Sequence, residues 1–117
     1  MEKVLLSSRK CSPCEGFETP LAKAQAQPLL HELDYGWELI EDAARLRKDF
    51  VFRTFRDAIN FVNNIADLAE AEGHHPNITI LYNKVRITCT THVIKGLSEN
   101  DFILASKIDQ LASRLKP

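Results

Sequence analysis

The sequence predicts an α+β fold, a four-stranded antiparallel sheet with helices packed on one face, in the order α-β-β-α-β-β-α. Three observations lead there. Two pairs of short, β-rich runs are each joined by a turn-sized gap, which reads as two hairpins. A long stretch with apolar residues every three or four positions separates the hairpins and reads as an amphipathic helix. Further helix signals open and close the chain.

The elements follow in order. Residues 1–18 form a polar N-terminal arm, and residues 19–117 a single domain. Thr19 followed by Pro20 predicts an N-cap with proline at the first helical position, for a helix running to about residue 33. Gly36 breaks it. Residues 37–40 and 45–52 read as two strands; in the second, Leu46, Lys48, Phe50 and Phe52 share one face by period-two alternation. Thr54 with Asp57 resembles a capping box for a helix ending at Gly73, along which Phe55, Ala58, Ile59, Val62, Ile65, Ala66 and Ala69 supply the apolar stripe. Residues 78–82 and 85–91 form the second hairpin, turning near Asn83 and Lys84. Ser98 with Asp101 is another capping-box signature, opening a last helix whose apolar side carries Phe102, Ile103, Ala105, Ile108, Leu111, Ala112 and Leu115.

Composition limits the function. A chain of 117 residues, 44% hydrophobic and 26% charged, fits one globular domain that can bury its own core. With a net charge of -1 and no concentrated basic run, nucleic acid and anionic membrane are not expected partners. No apolar stretch near the N-terminus approaches the length of a leader or a membrane span, so a cytoplasmic location is expected. The three cysteines, Cys11, Cys14 and Cys89, are an odd number, which argues against a disulfide framework. Cys11-Ser-Pro-Cys14 lacks the βαβ setting of a redox motif and a second ligand pair for zinc, so an incidental or surface-exposed pair is expected.

Three of the four histidines gather around the second hairpin: His74 and His75 after Gly73, and His92 at the end of the last strand. Val85, Ile87 and Cys89 take one face of that strand, so His92 falls on the face opposite the core. Histidine titrates near neutrality, and such a cluster suits acid and base catalysis. Metal binding and plain surface polarity remain open on the residues alone, although adjacent histidines on extended backbone diverge and rarely ligate one ion together. Glu70 lies in the last turn of its helix, where the dipole disfavours a carboxylate; on the residues alone it is either a group that orients an imidazole or a solvated glutamate at a fraying helix end.

Glu70, His74-His75-Pro76, Tyr82, Thr91-His92, Gly96-Leu97-Ser98, Asp101, Leu104-Ala105 and Ile108-Asp109 together resemble the pterin-4a-carbinolamine dehydratases, with matching spacing at each step. Gly36-Trp37-Glu38-Leu39 and Phe52-Arg53-Thr54-Phe55 extend the match more loosely, and Ile78 departs from the tryptophan of animal members. The resemblance implies a hydro-lyase of tetrahydrobiopterin recycling that converts 4a-hydroxytetrahydropterin to quinonoid dihydropterin. It implies neither metal nor organic cofactor, a homodimer or homotetramer, and a functional link to an aromatic amino-acid hydroxylase. By the same resemblance His74, His75, His92 and Glu70 are the catalytic set, and His75, Pro76, Ile78 and Thr91 bind substrate. Asp101 is expected to serve mainly as the helix cap. The alternative is a non-catalytic module, binding pterin alone or acting like the dimerisation coactivators among animal members.

Overall fold

The computed structural model describes residues 5–12, 16 and 18–115. Its elements are α1 (Lys23–Leu30), β1 (Glu38–Ile40), β2 (Arg45–Val51), α2 (Phe55–Glu72), β3 (Asn77–Leu81), β4 (Lys84–Cys89) and α3 (Glu99–Leu115), with single 3₁₀ turns at Leu6–Ser8 and His92–Ile94. This is the expected order. The four strands form one antiparallel sheet in the spatial order β1-β2-β4-β3.

Register explains which face is buried. Leu46 pairs with Cys89, Lys48 with Ile87 and Phe50 with Val85, so one side of the central strands is almost wholly apolar. Phe61 and Ile65 of α2 and Phe102, Leu104, Ala105 and Ile108 of α3 are buried with that face in a single core, which Ala26 of α1 joins. Phe61 packs at 4.9 Å from both Phe50 and Phe52, in the tilted geometry that aromatic quadrupoles favour.

Lys48 takes the inward position that alternation gives it, and its charge is met there. Its ammonium donates to Asp109 at 2.8 Å, and Asp109 also accepts the Trp37 indole N–H at 3.0 Å and the Asp34 amide at 3.1 Å. Burial pushes the Asp109 carboxyl above its ordinary range, and the Lys48, Trp37 and Asp34 donors act against that rise.

The ends of α2 follow the capping rules and the start of α1 does not. Thr54 Oγ1 accepts the Asp57 amide, and Gly73 closes α2 in the left-handed region at φ 68°. At α1 the expected Thr19-Pro20 start is displaced: the helix begins after Ala22, whose amide is met by Gln25 Oε1 at 2.8 Å. The cause is tertiary. Leu21 donates its amide to Leu97 O at 2.8 Å, and Pro20 lies so close to Gly96 that a Cβ there would come within 2.6 Å of it. The preceding residues are thus held extended along the 96–97 loop.

Three further expectations need correcting. The α2 stripe is rotated from the sequence reading: the buried face runs through Ala58, Phe61, Ile65 and Ala69, whereas Phe55 and Ala66 are exposed. The last strand ends at Cys89, not at Thr91. Cys11 is buried rather than surface-exposed, and Cys14 lies outside the described residues.

Candidate active site

The site forms where the C-terminal end of α2, the end of β4 and the first turn of α3 meet. Gly73 turns the chain out of α2 and delivers His74 and His75 immediately after it. On the other side, β4 gives way to a bridge between Thr91 and Gly96 that encloses the His92–Ile94 turn. A cleft of about 270 Å³ lies between them, lined by His74, His75, His92, Thr91, Ser12 and Asn100 among others. A larger hollow of about 690 Å³ lies at the opposite end of α3 and contains none of the histidines.

The three histidines have different surroundings. His74 Nε2 lies 2.6 Å from Asp101 Oδ1, a carboxylate that is completely buried. The other oxygen of Asp101 accepts the Thr91 hydroxyl at 2.8 Å and the Ser98 amide at 2.9 Å. Asp101 therefore caps α3 as expected and also holds a catalytic candidate, a role that the capping-box reading had set aside. Thr91 is buried, and its hydroxyl is shared between Asp101 and Ser98 Oγ. His75 Nε2 meets Glu70 Oε2 at 2.8 Å, with both side chains largely in solvent. Glu70 thus orients His75 and not His74. His92 is exposed at the start of its 3₁₀ turn, and its ring has no hydrogen-bond partner among the described residues.

Other candidates sit at the edge. Pro76 is half-buried, linking His75 to β3, and does not line the cleft. Ile78 pairs with Ile87 and packs toward the core. Among the described residues no group of three or more His, Cys, Asp or Glu side chains could hold a metal ion. Nor is any described helix long and apolar enough to cross a membrane.

Residues 19–111 match the family described as pterin 4 alpha carbinolamine dehydratase. The chain belongs to this family. Relatives named putative pterin-4-alpha-carbinolamine dehydratase include those of Nitrosomonas eutropha, 45% identical over 91% of this chain and 92% of the relative, and Methylococcus capsulatus, 42% identical over 97% and 98%. Among solved structures, a transcriptional coactivator/pterin dehydratase from Brucella melitensis aligns with a TM-score of 0.75 at 31% identity, covering 80% of this chain and 99% of that one. A pterin dehydratase-like protein identified as a RuBisCO assembly factor in the alpha-carboxysome aligns at 0.58 and 28% identity, covering 67% and 90%. The carbinolamine dehydratase match takes in both hairpins and every residue of the histidine cleft except Ser12.

Proposed function

We propose that this chain dehydrates 4a-hydroxytetrahydropterin to the quinonoid dihydropterin by histidine acid and base catalysis. The observation that carries the reading is the buried His74–Asp101 pair opening on a cleft that His75 and His92 also line. Family membership supplies the pterin.

In the reaction the C4a–O bond breaks as the hydroxyl takes up a proton and leaves as water, while N5 loses its proton and the C4a=N5 double bond forms. A carboxylate only accepts, so His74 Nε2 carries the hydrogen shared with Asp101, leaving Nδ1 as its free ring nitrogen. An imidazole backed by a buried anion is stabilised once it becomes cationic, which suits the base that removes the N5 proton. His92, open to solvent and without a ring partner among the described residues, is assigned as the acid that protonates the departing hydroxyl and is reprotonated by water. His75, steadied by Glu70, is assigned to the polar edge of the ring. Pro76 shapes the loop that brings it there.

The test is the decay of synthetic 4a-hydroxytetrahydropterin with and without the protein, repeated with His74→Ala, His75→Ala and His92→Ala. Acceleration by the wild type, with the largest losses in the His74 and His92 variants, is expected. If the wild type does not accelerate the decay, the enzyme reading fails in favour of a module that binds without turnover. Loss of activity on chelation would overturn the metal-free mechanism.

A further inference from the structure

The proton chemistry makes no use of the N-terminal segment, yet that segment reaches the cleft. Ser12 and Asn100 line it together with the three histidines. The two residues interlock: the Ser12 amide donates to Asn100 Oδ1 at 2.9 Å, and Asn100 Nδ2 donates back to Ser12 O at 2.7 Å. Asn100 is only 9% exposed, in the first turn of α3 beside Asp101. A carboxamide that meets both the N–H and the C=O of one residue fixes that residue's position and orientation, as a neighbouring strand would.

The same segment is fastened to α2. The Cys11 amide donates to Glu72 Oε1 at 2.9 Å, the Lys10 ammonium to Ala71 O at 3.0 Å, and Lys107 from α3 closes on Glu72 Oε2 at 2.9 Å. These anchors lie on the last turn of α2, which leads to His74, and on α3, which carries Asp101. Ser12, within this anchored run, has an exposed side chain whose hydroxyl has no partner among the described residues. Its backbone is held on both sides while its side chain is left unengaged at the cleft.

We infer that Ser12 forms a further wall of the substrate cleft, its hydroxyl holding the polar edge of the pterin ring, with Asn100 acting as the positioning residue that keeps it there. This rests on the pterin reading above. The ring offers amide-like N–H and C=O groups along one edge, and a hydroxyl can serve either.

Two measurements on the full chain test it: the dissociation constant for 7,8-dihydropterin, which lacks the 4a-hydroxyl and cannot be dehydrated, and KM and kcat for the carbinolamine. Ser12→Ala removes one hydrogen bond, so the dissociation constant and KM should rise about 2- to 13-fold. Asn100→Leu, which keeps the volume and loses both clamping bonds, should raise them at least as much. Asn100→Asp keeps the acceptor for the Ser12 amide and should fall between Asn100→Leu and wild type. In all three kcat should stay within about twofold of wild type, the signature of lost ground-state binding. Unchanged binding and KM in Asn100→Leu, with only a lower melting temperature, would reduce the segment to a brace of the fold and overturn the inference. Should that variant fail to fold, Ser12→Ala decides alone, because its side chain lies outside the core. A wild type that binds dihydropterin without turning over the carbinolamine would sink the dehydratase reading while the binding series still tests the wall. A protein that binds no pterin would sink both.

Discussion

Asp101→Asn isolates the charge behind His74. The carboxylate is fully buried, with Oδ1 2.6 Å from His74 Nε2 and Oδ2 shared by Thr91 and Ser98. The Ser98 amide can only donate, so an asparagine must turn its carbonyl oxygen to that side and its NH₂ toward His74. The imidazole then has to accept at Nε2, which fixes the opposite neutral tautomer and removes the anion that stabilises its cation. Hydrogen bonds to charged groups contribute about 1.5–3 kcal/mol, which corresponds to roughly a 10- to 150-fold fall in kcat. Folding should suffer less, because the amide still meets its neighbours and a buried charge is gone: about 1 kcal/mol, or roughly 4 °C in melting temperature. Stopped-flow decay of the carbinolamine and a thermal melt measure both. A kcat within twofold of wild type, in a background where His74→Ala abolishes activity, would refute the role given to the pair. A melting temperature lower by more than about 15 °C would show instead that Asp101 chiefly anchors the fold.

Glu70→Gln should change the melting temperature by no more than about 2 °C and kcat by less than about threefold, since its pair with His75 is solvent-exposed and such pairs contribute little; a hundredfold loss would show that Glu70 organises the whole histidine cluster and not only His75. Lys48→Met leaves Asp109 buried without its counter-charge and should cost about 3 kcal/mol, roughly 12 °C. That loss should shrink in acid as the carboxyl, already raised by burial, takes up a proton, and a deficit independent of pH would contradict the ion pair. Burial raises the Glu72 carboxyl, but the Cys11 amide and Lys107 outweigh it and hold it below its ordinary 4.5. Its contribution to stability is therefore fully present above pH 4.5 and lost as the pH falls through the lower folded value. Asp49, lowered by Arg86, adds the same sign and Asp109 the opposite one, so the difference between wild-type and Glu72→Gln melting curves against pH isolates Glu72; a flat difference would refute it. Burial first, and the charge of Glu72 next, push the Cys11 thiol up to about 12. In a Cys14→Ser variant, native protein at pH 8 should thus leave both Cys11 and the fully buried Cys89 unlabelled by a thiol reagent until it is unfolded, and rapid native labelling would show that the segment does not stay docked.

How much was legible in the sequence depended on whether the deciding interaction was local. Both hairpins, the Thr54 cap, the Gly73 stop and the inward parity of Val85, Ile87 and Cys89 are written within a few residues of themselves, and each appears in the fold. The start of α1 was misread because its Thr-Pro signal competes with a bond from Leu21 to Leu97, far away in the chain. Spacings of three and four counted from Phe55 lead to Ile59, Val62 and Ala66, whereas the face that meets the core is set by tertiary packing and runs from Ala58 through Phe61 and Ile65 to Ala69.

The histidine cluster was likewise legible as a cluster, but its partners were not. Glu70 drew attention as a carboxylate one turn from the histidines and an unfavourable charge at a helix end, yet it faces solvent with His75. Asp101 was set aside because a local motif already explained it. A carboxylate has two oxygens, however, and a cap bond to Ser98 occupies only one of them. The remaining oxygen is buried where α2 delivers His74, so the same group that starts α3 can hold the imidazole. The dual use also explains why Thr91 belongs to the site: by giving its hydroxyl to the capping oxygen it helps fix the carboxylate plane, and with it the direction of the bond to His74. A structural explanation for a buried carboxylate is complete only when both of its oxygens are accounted for.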